Sequence, residues 1–232
     1  MELGGNAPFI IFEDADIEKA VAGTIASKFR SSGQTCVCAN RIFVHENIYD
    51  EFSKRLTDKL QQTVKIGYGL DKGVTHGPLI HQNSLKKVRS HIDDAVSKGA
   101  KILFGGSKLE TLGENFHELT VLGDVTEEML IAQEETFGPV APLIKFSSDE
   151  EVLRLANKSD VGLAGYFFSS DVLKVFKVAE ELEVGMVGVN TGAITEAALP
   201  FGGVKESGYG REGSLYGIED YTVVKGIVIN TS

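Results

Sequence analysis

The chain has 232 residues, 42% hydrophobic and 24% charged, with a formal net charge of -10. That acidity, without any cluster of Lys and Arg, argues against nucleic-acid binding, because phosphate contacts need a concentrated basic face. No run of about 18 apolar residues marks a membrane span, and two cysteines one residue apart are no secreted disulfide framework, so a reducing, cytoplasmic setting is expected.

In chain order, Pro8, Phe9, Ile10, Ile11 and Phe12 read as an apolar strand with no introductory element before it, which points to sequence upstream. Acids at Glu13, Asp14 and Asp16 then precede Ile17, Ala20, Val21, Ile25 and Phe29 at helical spacing, predicting a helix over 17–29. It leads into Ser31-Ser32-Gly33-Gln34-Thr35-Cys36-Val37-Cys38, a turn that ends at a strand over 41–44. An amphipathic helix is expected over 48–64, a second over 83–98, and a short strand over 101–104. The remaining chain alternates: strand 119–122, short helix 127–131, strand 141–146, helix 148–157, strand 163–168, helix 171–182 and strand 185–189. Such alternation predicts an α/β fold with βαβ units and a largely parallel sheet. A Gly-rich stretch over 200–213 follows, and then a β-prone strand over 221–229. That last strand either completes the chain's own sheet or pairs across a subunit boundary.

The cysteine turn is the place where chemistry is expected. A thiol in a Gly-containing turn is approachable, amides left unpaired there can face an anion, and thiolate is the reactive form. On spacing alone two small buried cysteines fit as well. Two cysteines cannot build a zinc site by themselves, and His76 and His81 have no acidic or Cys partners at ligand spacing, so no metal is expected. Glu134 and Glu135 beside Phe137 and Gly138-Pro139 could make a ligand corner, but on these residues alone a solvated acidic turn with a core Phe is the better reading. Gly208, Gly210 and Gly213 satisfy GxGxxG, but no strand runs into them, so the phosphate-binding context is missing.

Glu2-Leu3-Gly4-Gly5-Asn6, Gly33-Gln34-Thr35-Cys36, Glu135-Thr136-Phe137-Gly138-Pro139, and Pro200-Phe201-Gly202-Gly203 with Lys205, Ser207-Gly208 and Gly210-Arg211-Glu212 together resemble the aldehyde dehydrogenase superfamily. Lys28-Phe29-Arg30 and Gly33-Gln34-Thr35-Cys36-Val37-Cys38-Ala39-Asn40 look like its succinate-semialdehyde branch. The resemblance implies a catalytic α/β domain over 1–203, a C-terminal extension with an oligomerisation strand over 204–232, and an absent N-terminal dinucleotide-binding domain. It makes Cys36 the nucleophile toward a small aldehyde and Glu2 the base for hydrolysis of the thioester. Glu135 would contact the ribose and Phe137 the nicotinamide end of NAD or NADP. Arg30 would pair with a remote substrate carboxylate, with Thr195 as a loosely aligned hydroxyl partner. A homo-oligomer is expected, with an apolar face where the other domain docks, and no nucleic acid or membrane partner. Cys36 and Cys38 are a candidate redox switch, whose strained disulfide would be readily reduced; free-thiol counting after peroxide tests it. The polypeptide as given is expected to have little dehydrogenase activity. The alternative is a non-catalytic binding or assembly module working through its C-terminal strand.

Overall fold

In the computed structural model, which describes residues 1–232, seven strands form one sheet in the order β3-β4-β5-β2-β1-β7-β8. These are β1 (Ala7–Ile11), β2 (Ala39–His45), β3 (Lys101–Phe104), β4 (Thr120–Gly123), β5 (Val140–Phe146), β7 (Ala164–Phe168) and β8 (Met186–Val189). Every neighbouring pair is parallel except β3 with β4. A separate antiparallel pair joins β6 (Val161–Gly162) to β9 (Val204–Lys205).

Both faces of the sheet are covered, which is why its strands read as unbroken apolar runs. Successive residues of β1 point to opposite sides: Phe9 and Ile11 pack with α1 (Ile17–Lys28) and α2 (Tyr49–Thr63). Ile10 and Phe12 pack on the other side with α3 (Gln82–Ser97), α5 (Asp149–Asn157) and α6 (Val172–Glu181). Local chemistry sets the helix starts. Asp16 accepts from the Lys19 amide at 3.1 Å and Ser148 from that of Glu151 at 3.2 Å. His81, expected to bind no metal, caps α3 by accepting from the Ser84 amide at 3.0 Å.

The parallel order positions the site. Glu2 to Asn6 precede β1, the cysteine turn precedes β2, and Glu134 to Pro139 precede β5, and these three strands are adjacent. Three segments far apart in sequence therefore converge at the amino-terminal edge of the sheet. Short α4 (Leu130–Gln133) leads into the last of them.

One expectation needs correction. The segment over 221–229 is not a strand of this sheet: beyond Gly217–Tyr221 the chain has no regular structure, and Val223, Val224, Ile227, Val228 and Ile229 are exposed. Its β-propensity has no partner within the chain. Exposed apolar side chains include Val172, Leu173 and Phe176 on α6 and several along the tail.

Candidate active site

After α1 the chain makes a tight reversal in which Ser31, Ser32 and Gly33 all have positive φ, at 50°, 55° and 76°. Two serines in that region carry a backbone cost of order 1 kcal/mol each, so the surroundings must hold them. They do: Ser32 Oγ donates to the Gly77 carbonyl at 2.8 Å, and Gln34 Nε2 donates to Ser31 at 3.0 Å and Pro78 at 3.3 Å. Gln34 Oε1 also accepts from the Ile80 amide at 2.9 Å. Gly33 is required on two grounds, its φ and the carbonyl of Gly138, into which any Cβ would run.

The following turn closes with the Cys38 amide donating to the Thr35 carbonyl at 3.1 Å. The intervening Cys36 and Val37 amides donate to no other residue. Both N–H groups are therefore unpaired within the chain. Cys36 is partly exposed; Cys38 is buried, its sulfur 2.8 Å from Thr35 Oγ1, and both are free thiols. Burial pushes the Cys36 thiol up, and the negative charges of Glu135, Glu2 and Cys38 push it further.

Glu2 is exposed and its residue forms a β-bridge with Gly208, while the Leu3 amide donates to Ser207 at 2.9 Å. Its carboxyl is raised, first by burial and then by Glu212, against the pull of the N-terminal ammonium. Ser207, wholly buried, donates to the Gly4 carbonyl at 2.8 Å and accepts from the Gly162 amide at 2.9 Å. The Gly-rich segment thus serves as a brace behind the Glu2 strand.

Glu135 Oε1 accepts from the Gly5 amide at 3.1 Å, and burial raises this carboxyl too. Its Oε2 faces Gly4, where a Cβ would stand only 2.9 Å away. The Gly4-Gly5 backbone and the carboxylate together wall one end of a large cleft, of about 1360 Å³. Phe137 is 39% exposed with a φ of 51°, so it is neither a core residue nor part of that cleft lining. Arg30 and Thr195 are brought together in a second, small cavity that Thr35, Val37 and Tyr166 also line. Thr35 and Val37 are the chain neighbours of Cys36, which itself does not line that cavity, a space of only about 10 Å³.

The comparisons follow this geometry. The sequence pattern of the Aldehyde dehydrogenase family matches residues 1–227. The chain belongs to that family. A succinate-semialdehyde dehydrogenase [NADP(+)] of Schizosaccharomyces pombe is 55% identical to this aldehyde dehydrogenase chain, covering 100% of it and 46% of the relative. A 3-sulfolactaldehyde dehydrogenase of Pseudomonas putida is 56% identical, covering 97% and 46%. The crystal structure of a succinate-semialdehyde dehydrogenase from Burkholderia pseudomallei superposes with a TM-score of 0.95 at 56% identity, covering 97% of this chain and 46% of that one. The chain spans about half the length of the relatives it matches. No cluster of three or more His, Cys, Asp or Glu is set to hold a metal, and no helix is long and apolar enough to cross a membrane.

Several supporting residues carried no signal strong enough to single out. Asn6 and Asn40 stitch the three converging segments: Asn40 Nδ2 donates to Asn6 Oδ1 at 2.7 Å and to the Glu134 carbonyl at 2.9 Å, and Asn40 Oδ1 accepts from Thr136 at 3.3 Å. Tyr166 OH donates to the Val37 carbonyl at 2.7 Å, fixing the turn from β7. Arg41 and Lys28 are both buried. A polar residue directly before or inside a strand otherwise apolar was the available cue for Asn6, Asn40 and Arg41.

Proposed function

We infer that this chain carries the thiol half of an NAD(P)-dependent dehydrogenase for a small aldehyde with an acid group at its far end, succinic semialdehyde being the best fit. The reading is supported by the family match and the semialdehyde dehydrogenase among its relatives, with Arg30 and Thr195 lining one small cavity whose wall includes Thr35 and Val37, the chain neighbours of Cys36. Arg30 and Thr195 are both exposed, and a guanidinium with a hydroxyl beside it suits pairing with a substrate carboxylate. The Cys36 thiolate adds to the aldehyde carbon, and the Cys36 and Val37 amides receive the charge on oxygen. After oxidation the acyl group is a thioester on Cys36, and Glu2 takes a proton from the water that hydrolyses it.

The residues present suit the ribose end of a dinucleotide. Glu135 Oε2 has no donor of its own and opens on a cleft that a Cβ at Gly4 would narrow, which fits a ribose hydroxyl donating to it. Phe137 offers an exposed apolar surface for the nicotinamide end. When bound, the nicotinamide ring accepts the hydride that leaves the substrate carbon.

Activated esters test the thiol half without any cofactor. A p-nitrophenyl ester of succinate is expected to acylate Cys36 about 5- to 50-fold faster than the matching butyrate ester, a charged-contact difference of about 1–2 kcal/mol. Arg30→Met should erase that preference while leaving the butyrate rate in place. Equal rates for the two esters in the unmodified chain would remove the acid-terminated substrate. Supplied with NAD or NADP and succinic semialdehyde, the 232 residues alone are expected to give no steady reduction, because the segments here include no nucleotide-binding strand, Gly loop and helix.

The tail supports a homo-oligomer. Val223, Val224, Ile227, Val228 and Ile229 form an exposed β-prone segment with no mate in the chain, the kind of edge that a second copy covers. Deleting residues 222–232 should therefore shift the mass measured by light scattering from a multiple of the chain to a single copy. A monomer before deletion, or an unchanged multiple after it, would rule out the tail as the contact.

A further inference from the structure

Lys28, on the last turn of α1, is fully buried, and its ammonium nitrogen has no hydrogen-bond partner. A buried ion without a partner costs several kcal/mol unless charges nearby offset it, so its surroundings require explanation. The strand start at Ala39 and Asn40 shows where it lies. The Ala39 amide donates to Ser27 Oγ at 3.2 Å, which sets the end of α1 against the residue after Cys38. Asn40 is bonded to the residues on both sides of Glu135, which sets the acidic corner against the same strand start. These bonds join the end of α1, the start of β2 and the segment of Glu135, and Cys38 and Glu135 are the charges that Lys28 feels most.

We propose that Lys28 is a positioning residue for the thiol: a buried cation placed behind the cysteine turn, whose charge offsets Glu135 and Cys38 and so eases ionisation of Cys36. The proposal rests on the reading of Cys36 as nucleophile, and supplies what that reading otherwise lacks. The strongest charges acting on Cys36 from its neighbours, those of Glu135, Glu2 and Cys38, are negative and disfavour its thiolate. Arg30 lies on the exposed side of the turn, and Tyr166 faces both cysteines from β7 as an uncharged phenol, its ionisation pushed far up by burial. Burial lowers Lys28 from the ordinary lysine range, while Cys38 and Glu135 hold it up. No other Lys or Arg side chain is wholly buried at this end of the sheet; Arg41 is spent on backbone carbonyls.

The test is the pH profile of Cys36 alkylation by iodoacetamide in the whole 232-residue chain, read by peptide mass spectrometry so that Cys38 is scored separately. Lys28→Met keeps the stem and removes the charge; it should move the midpoint upward and slow alkylation at pH 7.5 by about 3- to 10-fold. Lys28→Arg should retain the original profile, a rescue that packing alone does not predict. Lys28→Gln is the second neutral variant should Lys28→Met fail to fold, with the same upward shift expected. A neutral variant whose profile superimposes on the original, whatever happens to its melting temperature, overturns the proposal and leaves the nucleophile intact. A Cys36 that iodoacetamide does not modify in the unaltered chain at any pH overturns both readings.

Discussion

Cys36→Ser is expected to abolish ester acylation, lowering its rate by on the order of 10³-fold or more, while Cys38→Ser leaves it within a few-fold. The argument is positional. The two sulfurs lie one residue apart in the chain, yet Cys36 is partly exposed between free amides and Cys38 is buried against Thr35 Oγ1. The pH dependence follows from the thiol's surroundings. Burial, Glu135, Glu2 and Cys38 all raise its ionisation above the ordinary range, and only thiolate reacts, so acylation should climb with pH through a midpoint above that of an ordinary thiol and then level off. Glu2→Gln separates two effects of one carboxylate. Removing its charge lowers the midpoint and speeds acylation near neutrality, whereas loss of the base slows hydrolysis of the acyl-enzyme by about 10²- to 10⁴-fold. Stopped-flow release of p-nitrophenol reads the first step and its steady state the second. Both steps changing in the same direction would sink the assignment of Glu2.

The sheet was legible in the sequence because its strands are buried on both faces. Phe9 to Phe12 and residues 163–168 are apolar without alternation, and the helices between them show their apolar spacing. The tail was misjudged for a related reason: Val223, Val224, Ile227, Val228 and Ile229 carry the same β-propensity, but propensity records fitness for a half-buried surface and not whether a neighbour exists. Order along the sheet was also invisible. Only the coordinates show that the segments before β1, β2 and β5 are side by side, and that adjacency assembles the site.

Within the site, the cysteine turn could be read from Gly33 and its flanking elements, and the roles of Cys36, Glu2, Glu135 and Arg30 came from resemblance alone. Lys28 passed unremarked as part of a family motif, since a lysine on the last turn of a helix reads as a solvated cation complementing the helix dipole. Its complete burial is a tertiary fact. Phe137 shows the reverse, an aromatic that composition places in the core and backbone geometry turns outward.

Arg41→Met should destabilise the chain by about 3–5 kcal/mol, the largest loss expected from one polar substitution here. Arg41 sits in the central strand β2 and is almost wholly buried, with no carboxylate beside it. Burial lowers its ionisation to about 10, so it remains charged at neutral pH. Nε donates to the Asn6 carbonyl at 3.0 Å, and the two terminal nitrogens donate to the Leu155 and Ala156 carbonyls, each at 2.8 Å. Those last two belong to the final turn of α5, where carbonyls lack helical partners and the dipole is negative, so the helix end serves as the counter-ion. Methionine fills much of the volume but leaves three acceptors unsatisfied between β1, β2 and α5. Lysine, with one ammonium where a planar fork spans three carbonyls, should recover only part of the loss. Urea unfolding measures both variants. A midpoint for Arg41→Met within about 1 kcal/mol of the unaltered chain would mean that water replaces the guanidinium, and the helix end would then not depend on β2 for its cap.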